Sequence, residues 1–285
     1  MKAQLVVMLL SATISVQSVN ARAAPVADPS PLLVAPGVIS QNERHEFGSV
    51  LSEDGTEFFI GVDHGGWSSI ELYVRAGEHW IHRGRVIGDQ DFSANDPFLS
   101  PDGKRLYFIT KSNGSFDIGY MERLGRGGWS QPFIESSPIN SEESEYYISF
   151  LRNGDMVFAS DRRSKKVGDF DIYLARKRGE AFEEPRPFPE GINTDGYEAD
   201  AFIDPDGEYL IFSSNREGGR GRGDLYVSFA AEDSNWTQPQ PLNAVNTEGH
   251  ELCPFVSADG ATLYFTREGD IYSIDISAVQ SLRPR

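Results

Sequence analysis

One cysteine, Cys253, is all the sequence contains. No internal disulfide can form, so stability must come from packing and a large closed core is favoured. Positive charge is also scarce. Lys and Arg number 26 against 43 Asp and Glu, for a net charge of −17, and the general field of such a chain does not attract nucleic acid. No apolar run is long enough to be a permanent membrane span. Recognisable catalytic signatures are missing as well. There is no Gly-x-Ser-x-Gly elbow, which excludes a hydrolase or peptidase built on that nucleophile, and no His-Glu-x-x-His or cysteine pair for zinc.

Turn formers and aromatics are abundant. The chain has 28 Gly, 16 Pro, 18 Phe and 11 Tyr, a mixture suited to short strands and many turns. Residues 1–23 read as a signal peptide: Lys2, an apolar stretch from Leu5, then Ala21-Arg22-Ala23 as a small-x-small cleavage site. The mature chain, 24–285, is expected to be one domain, either periplasmic or secreted. Losing Lys2 and Arg22 takes the net charge from −17 to −19.

Two-residue turn signals recur at Asp54-Gly55, Asp102-Gly103, Asn153-Gly154, Asp206-Gly207 and Asp259-Gly260, spaced 48, 51, 53 and 53 residues apart. Such pairs favour type I′ hairpin corners. Each is followed by a continuous apolar run, such as Leu106-Tyr107-Phe108-Ile109 or Tyr209-Leu210-Ile211-Phe212, the pattern of a strand covered on both faces. A polar loop and a second strand follow, for example Asp171-Ile172-Tyr173 and Asp224-Leu225-Tyr226. Next come an aromatic-led turn (Trp129, Phe182, Trp236) and an outer segment ending in Ile139-Asn140, Ile192-Asn193 or Val245-Asn246. The period implies an all-β fold: a single β-propeller of about five four-stranded blades. The last unit stops near Ile276, before its outer strand, whereas Pro31 to Ser40 looks like an outer segment. The N-terminal segment is therefore expected to complete the final blade and close the ring.

The stretches SPDGKRLYF (100–108), DPDGEYLIFSSNR (204–216) with DLY (224–226), and SADGATLYFTR (257–267) with DIY (270–272) resemble the WD-repeat-like propeller repeats of the TolB type. The resemblance covers roughly residues 30 to 276. It implies a propeller fold, and TolB itself is periplasmic and uses its propeller to bind partner proteins. TolB also has a separate N-terminal domain, for which this chain is expected to have no room, and related propellers usually have six or more blades.

Candidate site residues lie at one end of the blades. Glu46, Glu145, Glu198 and Glu251 each stand eight residues before a corner, where the second repeat has Ala94 followed by Asp96. Inner strands line the axis, so these carboxylates are expected near one mouth of the channel. There they would pair with Arg162, Arg216 and Arg267 or hold an axial cation such as calcium. The loops on that face include two basic stretches, with Arg162, Arg163, Lys165 and Lys166 in one and Arg216, Arg220 and Arg222 in the other. Such a patch suits an anionic ligand. In the first blade the same loop carries His64 and Trp67, a base and a stacking surface. Cys253 is expected to be a buried small hydrophobe.

These features suggest an exported, non-enzymatic binding module that recognises a protein or an anionic glycan through one face. It is expected to be a monomer with no required cofactor. The alternative is a carbohydrate-active enzyme, a glycoside hydrolase or lyase, using axial carboxylates. Glu46 and Asp96 would then be the catalytic pair, because their blades lack an Arg at the matching loop position.

Overall fold

The computed structural model describes residues 29–112, 114–125, 127–164, 168–232 and 235–284. The proposed leader at 1–23, and Lys165 and Lys166, lie outside these. Five four-stranded antiparallel sheets make a five-bladed propeller. From the axis outward, blade one is His45–Leu51, Glu57–Asp63, Ser68–Ala76 and His79–Ile87. Blade two is Ala94–Leu99, Arg105–Ser112, Ser115–Glu122 and Phe133–Ile134. Blade three is Glu145–Phe150, Met156–Ser160, Asp171–Ala175 and Arg186–Pro187. Blade four is Glu198–Ile203, Tyr209–Ser214, Asp224–Phe229 and Gln240–Pro241. Blade five is Glu251–Val256, Thr262–Arg267 and Asp270–Asp275, with Leu32–Leu33 as its outer strand.

The ring closes as the repeat pattern implies: Leu32 pairs with Ser273 and Leu33 with Tyr272. One side-chain device recurs at the outside of the blades. Asn140 accepts a hydrogen bond from the Ile118 amide and donates to its carbonyl, both at 2.9 Å. Asn193 does the same at Ile172 and Asn246 at Leu225. Each amide extends the ladder beyond a two-residue outer strand, satisfying backbone groups that would otherwise be buried unpaired. In blade five Ser40 takes this role at Ile271, so the imported segment brings its own substitute for the Asn.

The corners differ from the type I′ form expected. Only the Gly of each pair has a positive φ, from +66° at Gly103 to +88° at Gly154. At the first corner the Gly55 amide bonds the Ser52 carbonyl, and Asp54 Oδ1 accepts from the Ser52 hydroxyl and the Thr56 amide. Asp102 and Asp259 hold their turns in the same way. The carboxylate thus stabilises a longer loop with one left-handed residue, which glycine supplies at little steric cost.

Burial is complete in three strands flanked on both sides: every residue of Met156–Ser160, Tyr209–Ser214 and Asp224–Phe229 is buried. The inner strands share one irregularity. Two positions after the start of each conserved pattern a bulge places Gly48, Asp96, Tyr147, Asp200 or Cys253 at φ between +44° and +56°. Four of these are not glycine, a conformation that costs on the order of 1–3 kcal/mol per residue and persists only where packing holds it.

Candidate functional site

The ring has two faces. One carries the loops between second and third strands and the starts of the inner strands; the other carries the Asp-Gly corners. On the loop face, Glu145 is fully buried and accepts hydrogen bonds from Ser141 and Ser160, with Arg162 at 3.0 Å. Glu198 is held by Thr194, Ser214 and Arg216, and Glu251 by Thr247 and Arg267. Each of these three guanidiniums also lies about 5 Å from a Phe and a Tyr ring of its own blade. Every such carboxylate is bonded within its blade and none reaches across the ring, which differs from the expected axial cluster. Among the described residues no group of three or more His, Cys, Asp or Glu side chains is placed to hold a metal ion.

Glu46 also has an arginine, contrary to the expectation from its loop. Arg44, two residues upstream, reaches Glu46 at 2.6 Å, Glu71 at 3.0 Å and the Tyr73 hydroxyl at 2.7 Å. Burial pushes the Glu46 carboxyl up and Arg44 opposes that rise. The expectation failed because the partner enters from the preceding chain rather than from the blade's loop.

Four arginines of the basic loops, Arg162, Arg216, Arg220 and Arg222, are similarly occupied. Arg162 and Arg216 belong to the buried pairs above. Arg220 donates to the carbonyls of Asn243 and Asn246, and Arg222 pairs with Glu268 at 2.7 Å. The backbone amides of Arg220 and Gly221 both donate to Asp224, so this Gly-rich turn already holds a carboxylate. Arg163 is exposed and its charge acts on Asp171. His64 stacks on Trp67 at 3.9 Å, bonds Ser69 through Nε2, and has its pKa lowered mainly by burial; Arg85 lies 5.1 Å from the Trp67 ring. Both aromatic surfaces are engaged with each other.

The residues that do meet on the axis are those of the bulges. Cys253 in blade five donates to Asp96 Oδ1 in blade two at 3.4 Å, and Tyr147 of blade three donates to the Pro254 carbonyl of blade five at 2.9 Å. Each contact skips a blade, so it crosses the centre. A Cβ on Gly48 would lie 2.5 Å from Asp96 Oδ1, which explains why glycine fills that place. Asp200 accepts a weak hydrogen bond from Tyr197 at 3.4 Å. Burial pushes Asp96 up to about 7, with the Asp200 charge adding to the rise, and pushes Asp200 up to about 6. Burial raises the Cys253 thiol as well, so it is a buried inert group, as its place in the strand implied. An arc of rings, Phe116, Tyr146, Phe170 and Tyr197, runs from blade two to blade four on this side, at spacings of 4.9 to 6.1 Å.

On the corner face the axis opens into a recess of about 330 Å³. Its floor is Phe98, Phe150, Phe202 and Phe255, whose centroids lie about 6 Å apart, and the Phe98–Phe255 contact again skips a blade. The corner loops form its rim. No motif pointed to this recess, because its four phenyls read as ordinary strand residues. The alignment of the inner strands was the only available signal: Phe98, Phe202 and Phe255 all follow the bulge position by two.

No family model and no curated protein matches the sequence. Among solved structures the chain is similar to TolB from Acinetobacter baumannii, with 14% identity over 81% of this chain and 54% of that one and a TM-score of 0.53. It is similar to a putative TolB from Agrobacterium tumefaciens, with 18% identity, 80% and 71% covered, and a TM-score of 0.50. It is also similar to an endo-arabinase from Bacteroides thetaiotaomicron, with 16% identity, 84% and 96% covered, and a TM-score of 0.56. At these identities the likeness shows the fold alone, a propeller that TolB proteins and a glycoside hydrolase share. The chain spans about half the length of the Acinetobacter TolB. Among the described residues no helix is long and apolar enough to cross a membrane.

Proposed function

We propose that this chain is an exported binding module that recognises a protein partner through the corner-face mouth of its ring. One observation carries the reading. On the loop face Arg162, Arg216 and Arg267 are consumed in pairs with the buried Glu145, Glu198 and Glu251, whereas the corner face keeps an open recess with an apolar floor. A concave apolar site with few polar groups is the usual form of a recognition pocket. The apolar leader at 1–23 supports export, and the propeller shared with the TolB structures supports a partner-binding role. An anionic glycan fits less well, since Arg162, Arg216, Arg220 and Arg222, four of the basic side chains expected to greet it, are engaged elsewhere.

The test is photo-cross-linking in the producing cell, with a benzophenone amino acid placed at exposed Ala258 on the corner face or at exposed Glu217 on the loop face. The expected result is a discrete protein adduct from Ala258 and none from Glu217. Adducts from neither position, or only from Glu217, overturn the reading.

A second reading keeps one specific observation. Asp96 and Asp200 are buried near the axis with no cationic partner among the described residues, and both are pushed upward. That is a property of acid–base carboxylate pairs. A carbohydrate-active enzyme built on them would release product from neutral or acidic oligosaccharides, detectable by mass spectrometry and lost in Asp96→Asn and Asp200→Asn. Intact oligosaccharides after prolonged incubation exclude it.

A further inference from the structure

The corner-face recess has a chemical character beyond being apolar. Phe98, Phe150, Phe202 and Phe255 line it and retain only 3–7% of their surface. Tyr209 and Val256 add further apolar wall. At about 330 Å³ the recess lies at the lower end of the range for ligand pockets, about 300–1,000 Å³. It suits one or two large side chains rather than a whole cofactor.

The rim is acidic. Glu53, Asp204, Asp206 and Asp259 line it, and the one cation there among the described residues, Arg152, is already bound to Asp206 through two contacts of 2.8 Å. Glu53, Asp204 and Asp259 have no ion-pair partner among the described residues. The corner hydrogen bonds hold Asp259 below the usual carboxylate range, and Arg152 does the same for Asp206. The charges of Asp206 and Asp259 therefore persist well into the acid range, whereas burial pushes Asp204 upward. They also sit on a chain of net charge −17, so the local field is reinforced by the whole molecule.

The geometry points to a basic peptide segment as the occupant: a stretch of a partner protein that inserts an aromatic or aliphatic side chain between the four phenyls while flanking Lys or Arg residues meet Glu53, Asp204 and Asp259. This rests on the proposed binding function and adds the chemistry of the partner. The two parts of the site select together. An apolar anchor alone gains the burial but none of the rim attraction. An acidic glycan, an acidic peptide or an anionic lipid headgroup meets like charge.

A display library of random short peptides, selected on the wild-type mature protein, tests this. Enriched sequences are expected to be cationic with a large apolar residue between the charges, and their affinity is expected to fall with added salt. Synthetic versions are then titrated against Glu53→Lys/Asp259→Asn. Asn already occupies the third corner as Asn153, so the turn is preserved and the variant should fold. Affinity should fall by about tenfold or more. Replacing the apolar anchor of the peptide by Ala should abolish binding. Enrichment of neutral or acidic peptides, no enrichment at all, or affinity unchanged in the rim variant overturns the proposal. If the cross-link from Ala258 forms while peptide selection fails, the partner chemistry is wrong and the binding reading stands. If neither succeeds, both fall.

Discussion

The two faces of the ring are made from the same repeat, yet they use charge in opposite ways. On the loop face each repeated Glu sinks to zero exposure and is met by an Arg, joined at Glu145, Glu198 and Glu251 by Ser or Thr hydroxyls. On the corner face Asp54, Asp102 and Asp259 stay outside and each uses one oxygen to fix its turn, and Asp259 keeps its charge beside an apolar opening. Repetition therefore says that a residue serves every blade; burial decides whether its charge remains available to a ligand. The loop face looked richer in chemistry because its basic and acidic residues were visible as residue types; the pairing of Arg162, Arg216 and Arg267 with the repeated Glu could be anticipated, but the engagement of Arg44, Arg220 and Arg222 could not.

The strongest way to break the comparison is to remove one member of a buried pair. Arg216→Ala leaves Glu198 charged and without its cation, and urea denaturation should show a loss of about 3–5 kcal/mol. The same experiment on exposed Arg222, paired with Glu268 at the surface, should show at most about 1 kcal/mol. A smaller loss at Arg216 than at Arg222 would contradict the structural role of the buried pairs.

A second test concerns the axis between the faces. Asp96 holds its proton to about pH 7 in the folded state against 3.8 ordinarily. Between those values the folded state binds more protons than the unfolded chain, so stability contributed by this group falls as pH rises from about 4 to about 7 and stays low above. The difference corresponds to about 4 kcal/mol at most. Asp96→Asn imitates the protonated acid. Thermal melts should therefore show it stabilised at pH 8, unchanged near pH 4, and less dependent on pH than the wild type.

Glycines sharpen the comparison at smaller scale. Gly48→Ala must fit a Cβ 2.5 Å from Asp96 at φ +56°, whereas Gly55→Ala at a corner has φ +67° and open space around it. The first should cost about 2–4 kcal/mol by adding a clash to backbone strain, and the second about 1–2 kcal/mol from strain alone. Smallest of all, Glu53→Lys/Asp259→Asn should leave the urea midpoint nearly unchanged, within about 0.5 kcal/mol, while weakening peptide binding.

Much of the fold was legible because its determinants are local or periodic: corner dipeptides, doubly covered strands, and a missing outer strand matched by Pro31 to Ser40. The site was less so. Side-chain direction along the inner strands depends on the bulge, and a sequence does not show that Asp96, Tyr147, Asp200 and Cys253 adopt positive φ. Without that shift the Glu residues two places earlier seem to be the axial ones. Arg44 was missed as the partner of Glu46 because it replaces a loop arginine from an unrelated stretch of chain. The phenyl floor was hidden for another reason: Phe150 follows its bulge residue by three positions rather than two, so the four rings do not align as a motif.

Hydrogen–deuterium exchange of the mature protein, with and without a peptide from the display selection, tests the central claim most directly. The account predicts added protection in the corner segments around 51–55, 100–103, 204–208 and 257–260, with the loop segments 160–164 and 215–223 unchanged. Protection confined to those loops would place recognition on the face assigned here to structure and would contradict the account.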